Sequence, residues 1–327
     1  MSKPNIKPIF LFSLPRSGST LLQKVIMTNE KIDSISEPWI LLPFIYNIRK
    51  KGTLAEYSHI NSFKAVNNII DKIGGKEQYF KYVKNMSKKM YSSIANNNSL
   101  YFLDKTPRYH LIIPEIVNNF PDAKFIFLFR HPLAIYSSIL KTWHRNRFLT
   151  IYKNHIDLYE GVYNLVNGYK MAKNKSIKIV YKDLILNKKE VIYKISNYLN
   201  LDRKKFDLNY YKKQNLDGEM GDNSGINKYN TISNRSIGKW KSTFNSYYRK
   251  RIAIKYLKYL NNDFFKMLDT NRENIINEVN KIETKKIGIK DFLEYKFSKY
   301  YKEIKIKFQT QDLLELFNKT DENNLYF

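Results

Sequence analysis

From Pro8 to Leu14 the chain is a continuous apolar run but for Ser13, as expected of a strand buried on both faces of a parallel sheet. The run stops at Pro15-Arg16-Ser17-Gly18, and from Ser19 the apolar residues Leu22, Val25 and Ile26 fall at helical spacing. Strand, tight turn and helix start are therefore predicted in that order. Ile32 to Ser36 reads as a second strand stopped by Glu37-Pro38, residues 39–98 as several helices rich in aromatics and Lys, and Leu100 to Leu103 as a third strand. Tyr109 to Asn119 has the spacing of one amphipathic helix, and Phe120-Pro121-Asp122 turns the chain. Lys124 to Phe129 (KFIFLF) is the strongest buried strand, followed by a helix from Pro132. Lys178 to Tyr181 predicts another strand, Lys188 to Leu199 another helix, and 205–235 a polar loop with Gly218, Gly221 and Gly225. Strands alternating with helices give an α/β fold, a doubly wound parallel sheet flanked by helices in three layers. From about Lys250 the pattern is helical, Lys-rich and aromatic-rich. Without a repeat or a Gly/Ser linker, the simplest organisation is one domain over 1–250 with a basic helical extension, 251–327, packed on it. A membrane or partner surface is the other reading of that extension.

The 327 residues, 43% of them hydrophobic, suffice for a sizeable core. Lys and Arg number 57 against 30 Asp and Glu, a formal charge of +27. That excess attracts anions without choosing among nucleic acid, anionic lipid, a phosphorylated cofactor or an acidic polysaccharide. Part of it reflects a general abundance of Lys, Asn, Ile and Tyr. Cysteine is absent, which excludes disulfides, thiolate nucleophiles and Cys metal sites. The five His residues show no metal-ligand spacing, so no metal is expected. The apolar run before Pro15 and Arg16, about six residues, is too short for a signal h-region or a membrane span, and no later run approaches a span. A cytoplasmic protein is expected, its basic surface compatible with peripheral attachment at the inner membrane face.

The chemistry begins at SLPRSGSTLL, residues 13–22. A nucleotide-hydrolysing P-loop, GxxxxGK[ST], wraps phosphates in backbone N–H groups and adds a Lys for the terminal phosphates. Here Ser13 stands at the first Gly and Ser19 at the Lys. Anion binding survives those changes. Gly18 admits close backbone approach, the N–H groups of Ser17, Gly18, Ser19, Thr20 and Leu21 surround a helix start, and Arg16, Ser19 and Thr20 add donors. Taken alone, the same residues would also serve as an ordinary helix start after a strand.

PRSGST after an apolar strand resembles the 5'-phosphosulfate loop of the sulfotransferase family, particularly the branch with tyrosylprotein sulfotransferases and many bacterial enzymes. FIFLFRHPLAIYSSIL, residues 125–140, is similar to the family's 3'-phosphate segment, with Arg130 and Ser138 at the matching places. An Arg fork at a strand end and a hydroxyl farther along the helix can grip a terminal phosphate from two sides. LDKTPRYH resembles a segment whose Lys contacts the sulfuryl group, which implies Lys105. IVYKDL resembles the one whose Tyr lines the nucleotide site, Tyr181. SIGKWKS resembles the loop closing over the nucleotide, making Lys239 a phosphate ligand and Trp240 its packing support. The resemblance runs from about residue 8 to 242. It implies a P-loop-like fold and an enzyme that uses 3'-phosphoadenosine 5'-phosphosulfate (PAPS), releases 3'-phosphoadenosine 5'-phosphate (PAP) and needs no metal.

In the tyrosylprotein branch a Glu at the corresponding interval after the loop Arg is the general base, which implies Glu37 here. Lys105 and Arg16 would then stabilise the sulfuryl and leaving-group oxygens, and His131, followed by Pro132, is structural. Aromatic and basic residues of 39–98, with Trp143, His144, Arg145 and Arg147, are expected to shape the acceptor cleft. A carbohydrate or glycolipid hydroxyl is the favoured acceptor, and no nucleic-acid partner is expected. Two rival classes remain, a P-loop kinase or phosphotransferase that shares the cradle, and a non-catalytic basic protein binding nucleic acid or lipid.

Overall fold

The structure, a computed structural model, describes residues 6–207, 214, 216–218, 220, 236–298 and 300–301. Most of the predicted loop, including Gly221 and Gly225, and the extension past 301 lie outside the described residues. Strands β1 (Lys7–Ser13), β2 (Ile32–Asp33), β3 (Tyr101–Asp104), β4 (Lys124–Phe129) and β5 (Ser176–Val180) form one parallel sheet in the order β2-β3-β1-β4-β5. The helices are α1 (Ser19–Ile26), α2 (Leu41–Asn47), α3 (His59–Lys72), α4 (Gly75–Ile94), α5 (Ile113–Asn119), α6 (Pro132–Trp143), α7 (Gly161–Met171), α8 (Tyr181–Leu186), α9 (Lys188–Leu199), α10 (Tyr247–Tyr259), α11 (Asn262–Met267) and α12 (Arg272–Asn280). Residues 289–298 and 300–301 are also helical.

Between their polar ends the central strands are apolar, because both faces of the sheet are covered. Successive side chains alternate between faces. Phe10, Phe12, Phe125, Phe127 and Phe129 point into the larger core, among side chains of α5, α6, α7 and α10 to α12. Ile9, Leu11, Ile126 and Leu128 point the other way, onto Leu22, Val25 and Ile26 of α1 and Ile195 of α9. Register sets Phe10 beside Phe125 and Phe12 beside Phe127, ring centroids 6.2 and 5.0 Å apart. Each such side chain contributes roughly 1.5–3 kcal/mol through burial. In β1 and β4 aromatic side chains line one face and aliphatic ones the other, within the expected three-layer, P-loop-like α/β architecture.

Three local expectations change. The helix expected over Tyr109–Asn119 is a 3₁₀ turn, Pro107–Leu111, followed by α5. Pro114 lacks an N–H and disfavours helical backbone before it, so the helix restarts with the proline in its first turn. The second strand keeps only Ile32 and Asp33, because side chains take over beyond it: Ser34 Oγ donates to Leu103 O, and Gln23 Nε2 donates to Ser34 Oγ and Ile35 O, both at 2.7 Å. Tyr181 opens α8 instead of ending β5.

All strands point the same way, so the loops after β1 to β5 gather at one edge. Neighbouring β3 and β4 leave β1 on opposite sides, which places the reversal of strand order, where open α/β sheets bind ligands, at the end of β1.

Candidate active site

The loop after β1 turns through two residues with left-handed backbone, Arg16 at φ 65° and Gly18 at φ 89°. Gly18 is required twice over: L side chains rarely adopt that φ, and a Cβ there would lie 2.3 Å from Cε2 of Tyr181. Ser17 N donates to Leu14 O at 3.2 Å and closes the turn. The first turn of α1 follows at Ser19, Thr20 and Leu21, whose N–H groups precede the helical ladder and so remain for an anion. The hydroxyls of Ser13 and Ser17 are buried without a hydrogen-bond partner. Such orphaned donors fit an anionic guest.

The residues expected to hold a 3'-phosphate converge on this loop. Arg130, just past β4, donates from Nη1 to Arg16 O at 2.7 Å, and its guanidinium lies 4.1 Å from the centroid of the Tyr181 ring. Arg16 Nε donates to Ser138 Oγ, on α6, at 3.1 Å. The Tyr181 hydroxyl donates to Ser236 Oγ at 3.1 Å, bringing in the late segment. Arg16, Gly18, Arg130, Ser138 and Tyr181, brought in after three separate strands, β1, β4 and β5, thus form one connected set.

Lys239 opens a 3₁₀ turn, Lys239–Ser242, and is exposed. The turn is anchored by its neighbours. Trp240 is buried and stacks on His131 with centroids 4.6 Å apart, and Thr243 meets Ser137 at 2.5 Å. Burial, then Arg130 and Lys241 nearby, push the pKa of His131 down to about 3. Both its ring nitrogens are buried without hydrogen-bond partners. It therefore stays neutral and packs, and it has no access to an acceptor proton.

The second group lies at the ends of β3 and β2. Lys105 is 1% exposed; its Nζ donates to Glu37 Oε1 at 2.9 Å and to Thr20 Oγ1 at 3.4 Å. Thr20 joins this pair to the cradle. Trp39, at φ 56°, donates from Nε1 to Glu37 Oε2 at 3.3 Å, and Ser36 N donates to Asp217 O at 2.8 Å. The Glu37 segment is thus pinned on both flanks.

Sequence reasoning missed the support beneath this pair. Asp104, fully buried, accepts from Tyr91 at 2.6 Å, Tyr109 at 3.0 Å and Thr106 at 3.1 Å. Burial raises its pKa from 3.8 to about 6 against the opposing pull of those hydrogen bonds. Thr106 Oγ1 also accepts from Trp39 N at 3.2 Å, and Tyr109 OH accepts from Leu41 N at 3.1 Å. The network therefore fixes the backbone that carries Glu37. Its only trace in the sequence is a carboxylate ending the apolar run of LDKTP.

A neighbouring network also went unread. Asp157, on a π-helical turn at Ile156–Glu160, takes Arg108 Nε at 2.7 Å, His110 Nε2 at 3.2 Å and Asn154 Nδ2 at 2.8 Å. Asn154 continues to His144 Nε2 at 2.8 Å, and His144 Nδ1 meets Thr150 Oγ1 at 2.7 Å. His144 is therefore buried in structure, while Trp143 is 46% exposed and Arg147 pairs with Glu294 at 2.8 Å.

A profile of the sulfotransferase family matches residues 8–205, more than half of the chain. The chain belongs to the sulfotransferase family. This sulfotransferase is 27% identical to "Nodulation protein NoeE" of Sinorhizobium fredii (strain NBRC 101917 / NGR234) over 135 residues, 41% of this chain. The match spans 31% of that relative's length. Among solved structures, the sulfotransferase domain from the curacin biosynthetic pathway is 19% identical with a TM-score of 0.49, covering 82% of this chain and 98% of that one. The sulfotransferase domain from the Synechococcus PCC 7002 olefin synthase is 19% identical with a TM-score of 0.45, covering 84% and 97%. Mouse sulfotransferase SULT7A1 complexed with PAP is 14% identical with a TM-score of 0.43, covering 82% and 90%.

Proposed function

We propose that this sulfotransferase takes its sulfuryl group from PAPS and transfers it to a carbohydrate or glycolipid hydroxyl, with Glu37 as general base. The connected set of Arg16, Ser138, Arg130 and Tyr181 around the cradle carries the reading, because it joins donors for a 5'-phosphosulfate to donors for a 3'-phosphate. Lys239 sits on the segment that Ser236 and Trp240 hold against this set, within reach of a role in closing over the nucleotide. In the reaction the acceptor oxygen forms a bond to sulfur while the sulfur–oxygen bond to the 5'-phosphate breaks, and the acceptor proton passes to Glu37. Lys105 and Arg16 offset charge gathering on the sulfuryl and leaving-group oxygens. The ion pair between Lys105 and Glu37 supports this division of labour, since it places base and cation together beside Thr20. The half-buried Trp39, its indole hydrogen-bonded to Glu37, supports a sugar as acceptor because it offers an aromatic surface beside the base.

Calorimetric titration with PAP, ATP and ADP, without Mg²⁺ and at moderate salt, tests the cosubstrate. PAP should bind far more tightly than ATP or ADP, and Arg130→Ala should weaken PAP by about tenfold or more. Equal binding of all three, or none, would defeat the reading. Transfer of labelled sulfate from PAPS to pooled oligosaccharides and glycolipids tests the acceptor, and labelling of phenols or peptides alone would exclude carbohydrate.

A further inference from the structure

The helical residues 289–298 and 300–301 present two contrasting faces. Inward, Asp291 pairs with Arg249 at 2.6 Å, and Glu294 pairs with Arg147 at 2.8 Å while also accepting from Phe148 N at 3.0 Å. Phe292 stacks on Tyr248 and Tyr295 packs edge-on against Phe148, so the segment is firmly seated. Outward lie Ile289, Leu293, Phe297 and Tyr300, at positions i, i+4, i+8 and i+11, exposed by 57, 46, 57 and 60%. That spacing is one helical stripe. Lys290 and Lys296 flank it and are exposed. Both described carboxylates of the segment are turned into the protein, so the outward face is aliphatic, aromatic and cationic only.

We propose that this face lies on the surface of an anionic lipid bilayer. An aliphatic stripe edged by lysines is what an interfacial helix needs: the stripe enters the acyl boundary while the ammonium groups reach up to anionic headgroups. A protein partner fits less well, because lysine is depleted at protein interfaces. A soluble polyanion would engage the lysines and leave four large aliphatic or aromatic side chains in water. No helix among the described residues is long and apolar enough to cross a membrane, which leaves contact at the interface.

The test is co-sedimentation with vesicles of phosphatidylcholine alone and of phosphatidylcholine mixed with phosphatidylglycerol. The protein should partition onto the mixed vesicles and stay off the neutral ones. Leu293→Asp with Phe297→Asp, and separately Lys290→Glu with Lys296→Glu, should each weaken partition by about tenfold or more. All four positions are exposed, and unchanged circular dichroism and PAP titration will show that fold and nucleotide site are intact. Absence of binding, or equal binding to both vesicles, overturns the proposal. So does loss of binding on charge reversal with none in the Leu293/Phe297 variant, which would mean attraction to any polyanion. Met90→Asp, on the exposed side of α4, should change nothing; if it alone abolishes binding, another face is responsible. A concentration-dependent dimer dissolved by the Leu293/Phe297 variant would assign the stripe to a second copy of the chain instead.

Discussion

Gly18→Ala isolates the contact on which the nucleotide site turns. Two costs are separable in the structure. Holding a non-glycine residue at φ 89° costs about 1–2 kcal/mol. The new Cβ would also lie 2.3 and 2.5 Å from Cε2 and Cδ2 of Tyr181, so the ring must swing aside. Arg130, 4.1 Å from that ring, then loses a cation–π contact of about 0.5–2 kcal/mol. Together these predict a stability loss of about 2–4 kcal/mol by urea unfolding, with PAP affinity falling by about tenfold. A cycle with Tyr181→Ala divides the total. Without the ring, Gly18→Ala should cost only the backbone share, about 1–2 kcal/mol. Equal costs in both backgrounds, or an alanine variant with wild-type stability and PAP affinity, would refute the steric account.

Glu37→Gln should lower kcat by about 10²–10⁴-fold and leave PAP binding within about twofold, measured on whichever acceptor the labelling screen yields; an unchanged kcat would remove Glu37 as base. Asp104 holds its proton more tightly folded than unfolded, so its contribution to stability is greatest below its ordinary value of 3.8 and is lost as pH rises through about 6. The wild type should thus lose about 3 kcal/mol relative to Asp104→Asn across that window, read from unfolding midpoints, and parallel curves would contradict this. Trp240→Ala, removing a buried ring stacked on His131, should destabilise by about 3–5 kcal/mol; a loss near zero would show that the late segment is not docked as described.

The bounds of β4 and α9 were legible because uninterrupted apolar runs and helical spacing state burial directly. The split before α5 was written in Pro114, but hydrophobic period alone masked it. The shortened β2 could not be foreseen, since it depends on Gln23 and Ser34 supplying hydrogen bonds that a longer ladder would have made. In the site, strand ends announce residues: Arg16, Lys105 and Arg130 each follow an apolar run, and a parallel sheet must gather them at one edge. What joins them is not local. Arg16 meets Ser138 across 122 positions, and the Asp104 and Asp157 networks arise from tertiary packing that no short window contains.

The division of the sheet into a phenylalanine face and an aliphatic face bears on how the chain finds its register. A slip of β1 by one residue against β4 would turn Phe10 and Phe12 toward Leu22, Val25 and Ile26, and would send Ile9 and Leu11 into space shaped for rings. The error would overpack one layer and hollow the other at once. Non-local parallel pairing is slow to form and open to mistakes. In this chain a misaligned strand is rejected by volume on both sides, so side-chain bulk acts as the proofreader of assembly.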